Sequence, residues 1–219
     1  MRYILGVTGA SGAIYATRTA MHLKRLGHHV TALVTPPGRG VLAYEEQDSL
    51  FDYVDELPDV KNFFAECASG SADYAGMVVV PCSMGTIGRI AAGTSDNLLI
   101  RSADVCLKER RPLIVVPRET PYNLVHLDNM TRLTRMGGIV IPASPHFYDR
   151  PKTIEEAVDT VVAKILMHLG ALAGGAEIIK PWKGISVPGS VSKMASRAVS
   201  KVSSVKHLAK VKAKKSKSK

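Results

Sequence analysis

The stretch Tyr3-Ile-Leu-Gly-Val-Thr-Gly9-Ala-Ser11-Gly12-Ala13-Ile14 constrains the fold more than any other part of the chain. Its short apolar run suits a strand buried on both faces. The run breaks into small residues and reopens as a helix to Leu26, with Gly27 as its stop. Strand, small-residue turn and helix N-terminus together form an anion site. Gly9 and Gly12 let backbone approach a phosphate, and the free N–H groups and helix dipole favour its charge. Ser11 adds a hydroxyl at the mouth of the turn. The spacing Gly9-x-x-Gly12 is not the dinucleotide pattern G-x-G-x-x-G. The second apolar run, His29–Val34, ends in Thr35-Pro36-Pro37 without an acidic residue to hold a ribose diol. That favours a mononucleotide over a nicotinamide cofactor. An ordinary tight turn with glycines for packing is the alternative.

Apolar runs alternate with helical patterns along the chain, as an α/β protein with a parallel sheet requires. Strands are expected at Tyr3–Thr8, His29–Val34, Gly76–Val80, Pro112–Val116 and Gly138–Ile141. Helices are expected at Gly38–Glu46, near Val60–Cys67, and from Thr153 to about Leu169. Thr153 is the N-cap of the last helix, with Glu156 at N3. A short strand is expected near Tyr53–Val54. The net charge of +10 is unevenly spread. From Ile185 onward there are nine lysines, Arg197 and no acidic residue, so the rest of the chain carries 29 − 10 = 19 basic against 19 acidic residues. This divides the chain into a neutral domain, 1–184, and a basic Lys/Ser/Ala-rich tail, 185–219, expected to be disordered. Its charge would permit contact with nucleic acid or an anionic membrane, but the tail has no aromatic residue for base stacking. Cys67, Cys82 and Cys106 are widely spaced and odd in number. With no membrane-length apolar run and no signal-peptide pattern, they point to a reducing cytoplasm.

Four further stretches follow strands or lead to the same sheet edge. Val80-Pro81-Cys82-Ser83-Met84-Gly85-Thr86 offers N–H and hydroxyl donors, with simple helix capping as the alternative. In Asp96–Arg111, a helix would place Leu98, Arg101, Val105 and Lys108 near one face. Cations on an apolar face suit burial against an anion or another subunit. Pro117-Arg118-Glu119-Thr120-Pro121 sets a guanidinium fork and a carboxylate in a proline-stiffened loop. Pro142-Ala-Ser-Pro-His146-Phe-Tyr148 presents a phenol. No His/Cys/Asp spacing suits zinc, and no nucleophile elbow is present. The chemistry converges on two phosphorylated molecules held side by side without a metal.

These stretches, with Asn129-Met130, closely resemble the UbiX family of flavin prenyltransferases over residues 2 to about 170. The resemblance implies a Rossmann-like, flavodoxin-type parallel sheet flanked by helices in three layers, assembled as a homododecamer. It implies a cytoplasmic flavoprotein that transfers a dimethylallyl group from dimethylallyl monophosphate to reduced FMN. The group links flavin N5 and C6, and the product, prenylated FMN, passes to a UbiD-type decarboxylase. Carried over by position, FMN would be held by Gly9, Ala10, Ser11, Thr35, Ser83, Met84, Gly85, Thr86 and Arg118. Dimethylallyl phosphate would meet Arg101, Lys108, Arg118, Glu119, Tyr148 and Lys164, some of them from a neighbouring subunit. Ser11, Glu45, Glu119 and Tyr148 would be catalytic, with Ser11 and Glu45 moving protons at the flavin and Glu119 beside the leaving phosphate. The Pro36-Pro37 pair departs from the family's pattern. The rival readings are a flavin-dependent cysteinyl decarboxylase of the same superfamily and a non-catalytic FMN carrier. The decarboxylase's P-x-M-N-x-x-M-W motif is missing, and a carrier would not need Arg101, Lys108 and Lys164.

Overall fold

A computed structural model describes residues 1–172, so the expected boundary at 184 and the basic tail lie outside the described residues. Five strands form one sheet: β1 (Arg2–Val7), β2 (His29–Val34), β3 (Gly76–Cys82), β4 (Leu113–Pro117) and β5 (Ile139–Val140). Their order is β2-β1-β3-β4-β5 and every pairing is parallel. This is the flavodoxin-like order, whose direction reverses between β1 and β3, and ligands of such sheets sit outside the carboxyl ends of the strands at that point. The connecting helices are α1 (Ala13–Arg25), α2 (Pro36–Tyr44), α3 (Met84–Ala92), α4 (Leu98–Lys108), α5 (Leu124–Arg135) and α6 (Ile154–His168).

Strand periodicity builds the layers. Leu5, Val7, Val78, Val80, Ile114 and Val116 point to one face, against Leu23 of α1 and Val162 and Ile165 of α6. Ile4, Met77, Val79 and Val115 point to the other, against Ile87 of α3 and Leu98, Leu99 and Ala103 of α4. With both faces covered, the strands read as continuous apolar runs. Close approach decides one position: a Cβ on Gly6 would lie 3.1 Å from Leu99 Cδ1, so glycine lets α4 seat on β1. Side chains cap α2 (Thr35), α4 (Asn97), α5 (Asn123) and α6 (Thr153), each accepting a first-turn backbone N–H.

Several local expectations change. The second helix starts at Pro36, not Gly38, because Thr35 caps it and prolines suit its first turn, where no N–H is needed. In place of a strand at Tyr53–Val54 there is a 3₁₀ turn, Asp48–Tyr53, and a single bridge from Glu56 to Thr31. Val60–Cys67 is not a helix: Asp59 and Asn62 side chains accept the N–H groups of Lys61 and Phe64, and turns of this kind compete with helix. Only Glu66–Ala68 forms a 3₁₀ turn there. Helix α5 has no counterpart among the expected elements. Of its residues only Leu133 is buried, so it carries little apolar periodicity.

Candidate active site

The turn after β1 and the turn after β3 meet at the reversal point of the sheet. Gly12 has φ 104°, a left-handed conformation open to glycine, and it starts α1. Gly9 sits under α2: a Cβ there would lie 2.6 Å from Pro37 Cβ. Pro37, the second of the proline pair, therefore packs directly on the glycine turn. The Thr35 hydroxyl donates to Val7 O at 3.2 Å and accepts from Gly38 N at 3.2 Å.

The expected phosphate cradle at α1 is already filled by a side chain. Gly12 N donates to both Glu45 carboxylate oxygens at 3.0 Å, and Ala13 N donates to Oε2 at 2.7 Å. The dipole and free N–H groups of α1 thus serve the chain's own carboxylate, which any phosphate at that terminus would have to displace. Partial burial works against ionising Glu45, but hydrogen bonds from Ser11, Ala13 and Gly12 and the charge of Arg118 outweigh it. Its pKa lies below the ordinary glutamate value of 4.5. Because the folded value lies below the unfolded one, ionised Glu45 stabilises the fold fully above about pH 4.5, and that stability is lost as pH falls through the folded value. Melting temperatures of wild type and Glu45→Gln should therefore differ near neutrality and converge in acid; a gap independent of pH would contradict this account.

Helix α3 is different. Its N-cap residue, Ser83, makes no side-chain cap, and its hydroxyl pairs with Thr86 Oγ1 at 3.0 Å. A Cβ on Gly85 would meet nothing within 4 Å, so the first turn of α3 is open at Gly85, although Met84 and Thr86 beside it are buried. Ala10 and Met84, the apolar residues of the two turns, are each 6 % exposed. The turn was visible in the sequence, but not that its donors, rather than those of α1, are the open ones.

Arg118 follows β4 and reaches the first turn, its Nε donating to Ser11 O at 3.1 Å. Its neighbour Glu119 accepts from Thr120 N at 3.0 Å. Tyr148 is half exposed and stacks on His146, rings 4.1 Å apart and 5° from parallel. His146 pairs in turn with Asp149 at 2.8 Å. The remaining expected phosphate ligands lie elsewhere in this chain. Arg101 donates to Ala68 O at 3.2 Å and pairs with Asp104 at 2.9 Å. Lys108 pairs with Glu109 beside Gly70. It ends α4, about 15 Å along from the helix start by the rise per residue, toward the edge where β4 begins. Lys164 stands on the exposed side of α6, a similar distance from that helix's start. One chain therefore unites Ser11, Glu45, Ser83–Thr86 and Arg118 but does not bring Arg101, Lys108 and Lys164 to them.

The cysteines are free and buried. Burial raises the Cys82 thiol far above its usual range and Cys106 to about 12, so neither is a ready nucleophile. Among the described residues, no group of three or more His, Cys, Asp or Glu is placed to hold a metal ion. No helix there is long and apolar enough to cross a membrane.

Comparison with known proteins decides the family. The flavoprotein family model matches residues 1–170. Flavin prenyltransferase UbiX of Methanothermobacter thermautotrophicus is 45% identical over 170 residues, 76% of this chain and 89% of that protein. The chain belongs to the UbiX family of flavin prenyltransferases. A further family member, from Halalkalibacterium halodurans, is 44% identical over 77% of this chain and 88% of its own length. Among solved structures, the dodecameric FMN-dependent UbiX-like decarboxylase from Escherichia coli O157:H7 superimposes with TM-score 0.78 at 34% identity, covering 84% of this chain and all of that one. AnUbiX, solved in complex with FMN and dimethylallyl pyrophosphate, gives TM-score 0.78 at 33% identity over 84% and 98% of the two chains. The cysteine decarboxylase TvaF, at 16% identity and TM-score 0.55, shares the fold alone.

Proposed function

We propose that this chain transfers a dimethylallyl group from a dimethylallyl phosphate to reduced FMN, making prenylated FMN for a UbiD-type decarboxylase. The observation that carries the reading is the meeting of three groups at one sheet edge: the uncapped, open first turn of α3, the Ser11–Glu45 pair, and Arg118 held against Ser11. The donors fit FMN: the N–H groups of Met84 and Gly85 and the hydroxyls of Ser83 and Thr86 suit its polar edge, with the apolar side chains of Ala10 and Met84 beside them. Bound reduced FMN supplies the electron-rich ring that accepts the allyl group. Arg118, a planar fork, neutralises charge on the phosphate as the allylic C–O bond breaks, which clustered cations can do without a metal. Glu119 stands next to it to take or return a proton. Ser11 lies beside the Glu45 carboxylate and helps hold it ionised, a pairing through which a proton can move at the flavin.

The second set of cations is proposed to arrive from other copies, as a homododecamer would allow. The exposed apolar residues Leu124 (71 %), Val125 (63 %) and Leu127 (47 %) at the start of α5 support such burial between copies. The basic tail beyond 185 is proposed to be dispensable for transfer, and the buried free thiols fit a reducing cytoplasm.

The test is anaerobic mixing of the protein with reduced FMN and dimethylallyl monophosphate or pyrophosphate, read by flavin absorbance and mass. One added five-carbon unit on the flavin is expected; an unchanged flavin with both donors would sink the assignment. Shared sites predict a second result. Lys108→Ala and Arg118→Ala chains should each be inactive alone and recover activity when co-assembled, because some sites then draw an intact residue from each copy. A mixture as inactive as its parts would place both residues in one chain's site or neither.

A further inference from the structure

Thr8, the last residue before the glycine turn, is only 1 % exposed, and its hydroxyl makes two contacts across the sheet. Oγ1 donates to Pro81 O at 2.9 Å and accepts from Ser83 N at 2.8 Å. Its backbone N–H also donates to Pro81 O, at 3.3 Å. β1 and β3 pair through Gly6 and Val79 and not beyond. The register of β3 on β4 also shifts between Val79 and Cys82. Where the ladder stops, Thr8 is therefore the link between the two turns. Ser83 is the N-cap of α3, so whatever fixes the Ser83 N–H fixes the direction of that helix's open first turn.

We propose that Thr8 is a positioning residue for flavin binding: its hydroxyl sets the spacing between the Gly9–Gly12 turn and the Ser83–Thr86 turn. Residue type follows from the geometry. A buried hydroxyl can donate to one carbonyl while accepting from one N–H, whereas valine has the same shape and can do neither. Without the hydroxyl the Ser83 N–H loses its acceptor, and the first turn of α3 must tilt or take water to replace it. Thr8 acts through Ser83 and touches no reacting atom. The inference rests on the flavin site proposed above, at the level of where FMN binds and not of what is transferred to it.

The experiment measures FMN affinity by quenching of flavin fluorescence, with melting temperature alongside, in the full chain. Wild-type binding establishes the flavin site; if wild type does not bind FMN, the functional reading fails and takes this inference with it. Given wild-type binding, Thr8→Val is expected to weaken FMN about tenfold or more, and Thr8→Ser to stay within about threefold of wild type. Thr19→Val is the control for simple loss of a buried hydroxyl. Thr19 is fully buried in α1, and its hydroxyl donates to Tyr15 O of the same helix at 2.7 Å rather than to either turn. Its affinity should match wild type. Should Thr8→Val fail to fold, the same bond is cut from the other side by Ser83→Pro, which lacks the N–H. It is compared with Ser83→Ala, which keeps it, and the proline variant should bind about tenfold more weakly than the alanine one. Thr8→Val binding within twofold of wild type, Thr19→Val weakening FMN equally, or equal affinities for the two Ser83 variants would overturn the proposal.

Discussion

Arg118→Ala should lower the rate of prenyl transfer by a factor on the order of a hundred to a thousand while leaving the fold intact. Removal of one donor aimed at developing negative charge costs about that much in a water-poor site. Arg118 is the cation among the described residues that touches the glycine turn. Its Nε is engaged with Ser11 O, which anchors the fork and leaves Nη1 and Nη2 to meet an anion. Arg118→Lys keeps the charge but cannot hold Ser11 and a phosphate together, so an intermediate loss is expected. The side chain is exposed, so the melting temperature should move little in either variant. Single-turnover transfer under anaerobic conditions, measured beside FMN affinity, checks this. Wild-type rates in Arg118→Ala would remove Arg118 from the phosphate site, and unfolding would show that its bond to Ser11 is structural instead.

Leu99→Ala should produce the largest loss of stability. Leu99 is fully buried in α4, and Gly6 of β1 leaves the space its side chain fills. Truncation loses the transfer free energy of the removed carbons and leaves a cavity that the sheet below cannot close, for a cost of about 2–5 kcal/mol. For a domain of this size that corresponds to a fall in melting temperature on the order of 10 °C. Denaturant titration with an unchanged slope would confirm a loss of packing alone. A change below about 1 kcal/mol would mean that α4 does not seat on Gly6 as described. FMN affinity, measured where the variant remains folded, should hold near wild type, since Leu99 packs on Gly6 within the strand and not at the donors of the two turns.

The chain's apolar runs and glycines determine the parallel sheet, because only residues buried on both faces can be apolar throughout, and β1, β2, β3 and β4 fall where the runs lie. The turns after β1, β3 and β4 were legible for the same reason: small residues and prolines mark where a buried strand must stop. Residues 48–68 were not legible, since Asp59 and Asn62 divert backbone N–H groups into turns that compete with helix. Nor was α5, which buries too little to show a stripe. Only the tertiary structure shows that Glu45, more than thirty residues along the chain, fills the helix terminus that looked ready for phosphate. The same holds for Arg101, tied to Ala68 O and Asp104, and for Lys108 and Lys164, each ten residues along its helix. Local sequence decides which groups can bind an anion, but which of them are left open depends on partners supplied by distant parts of the chain.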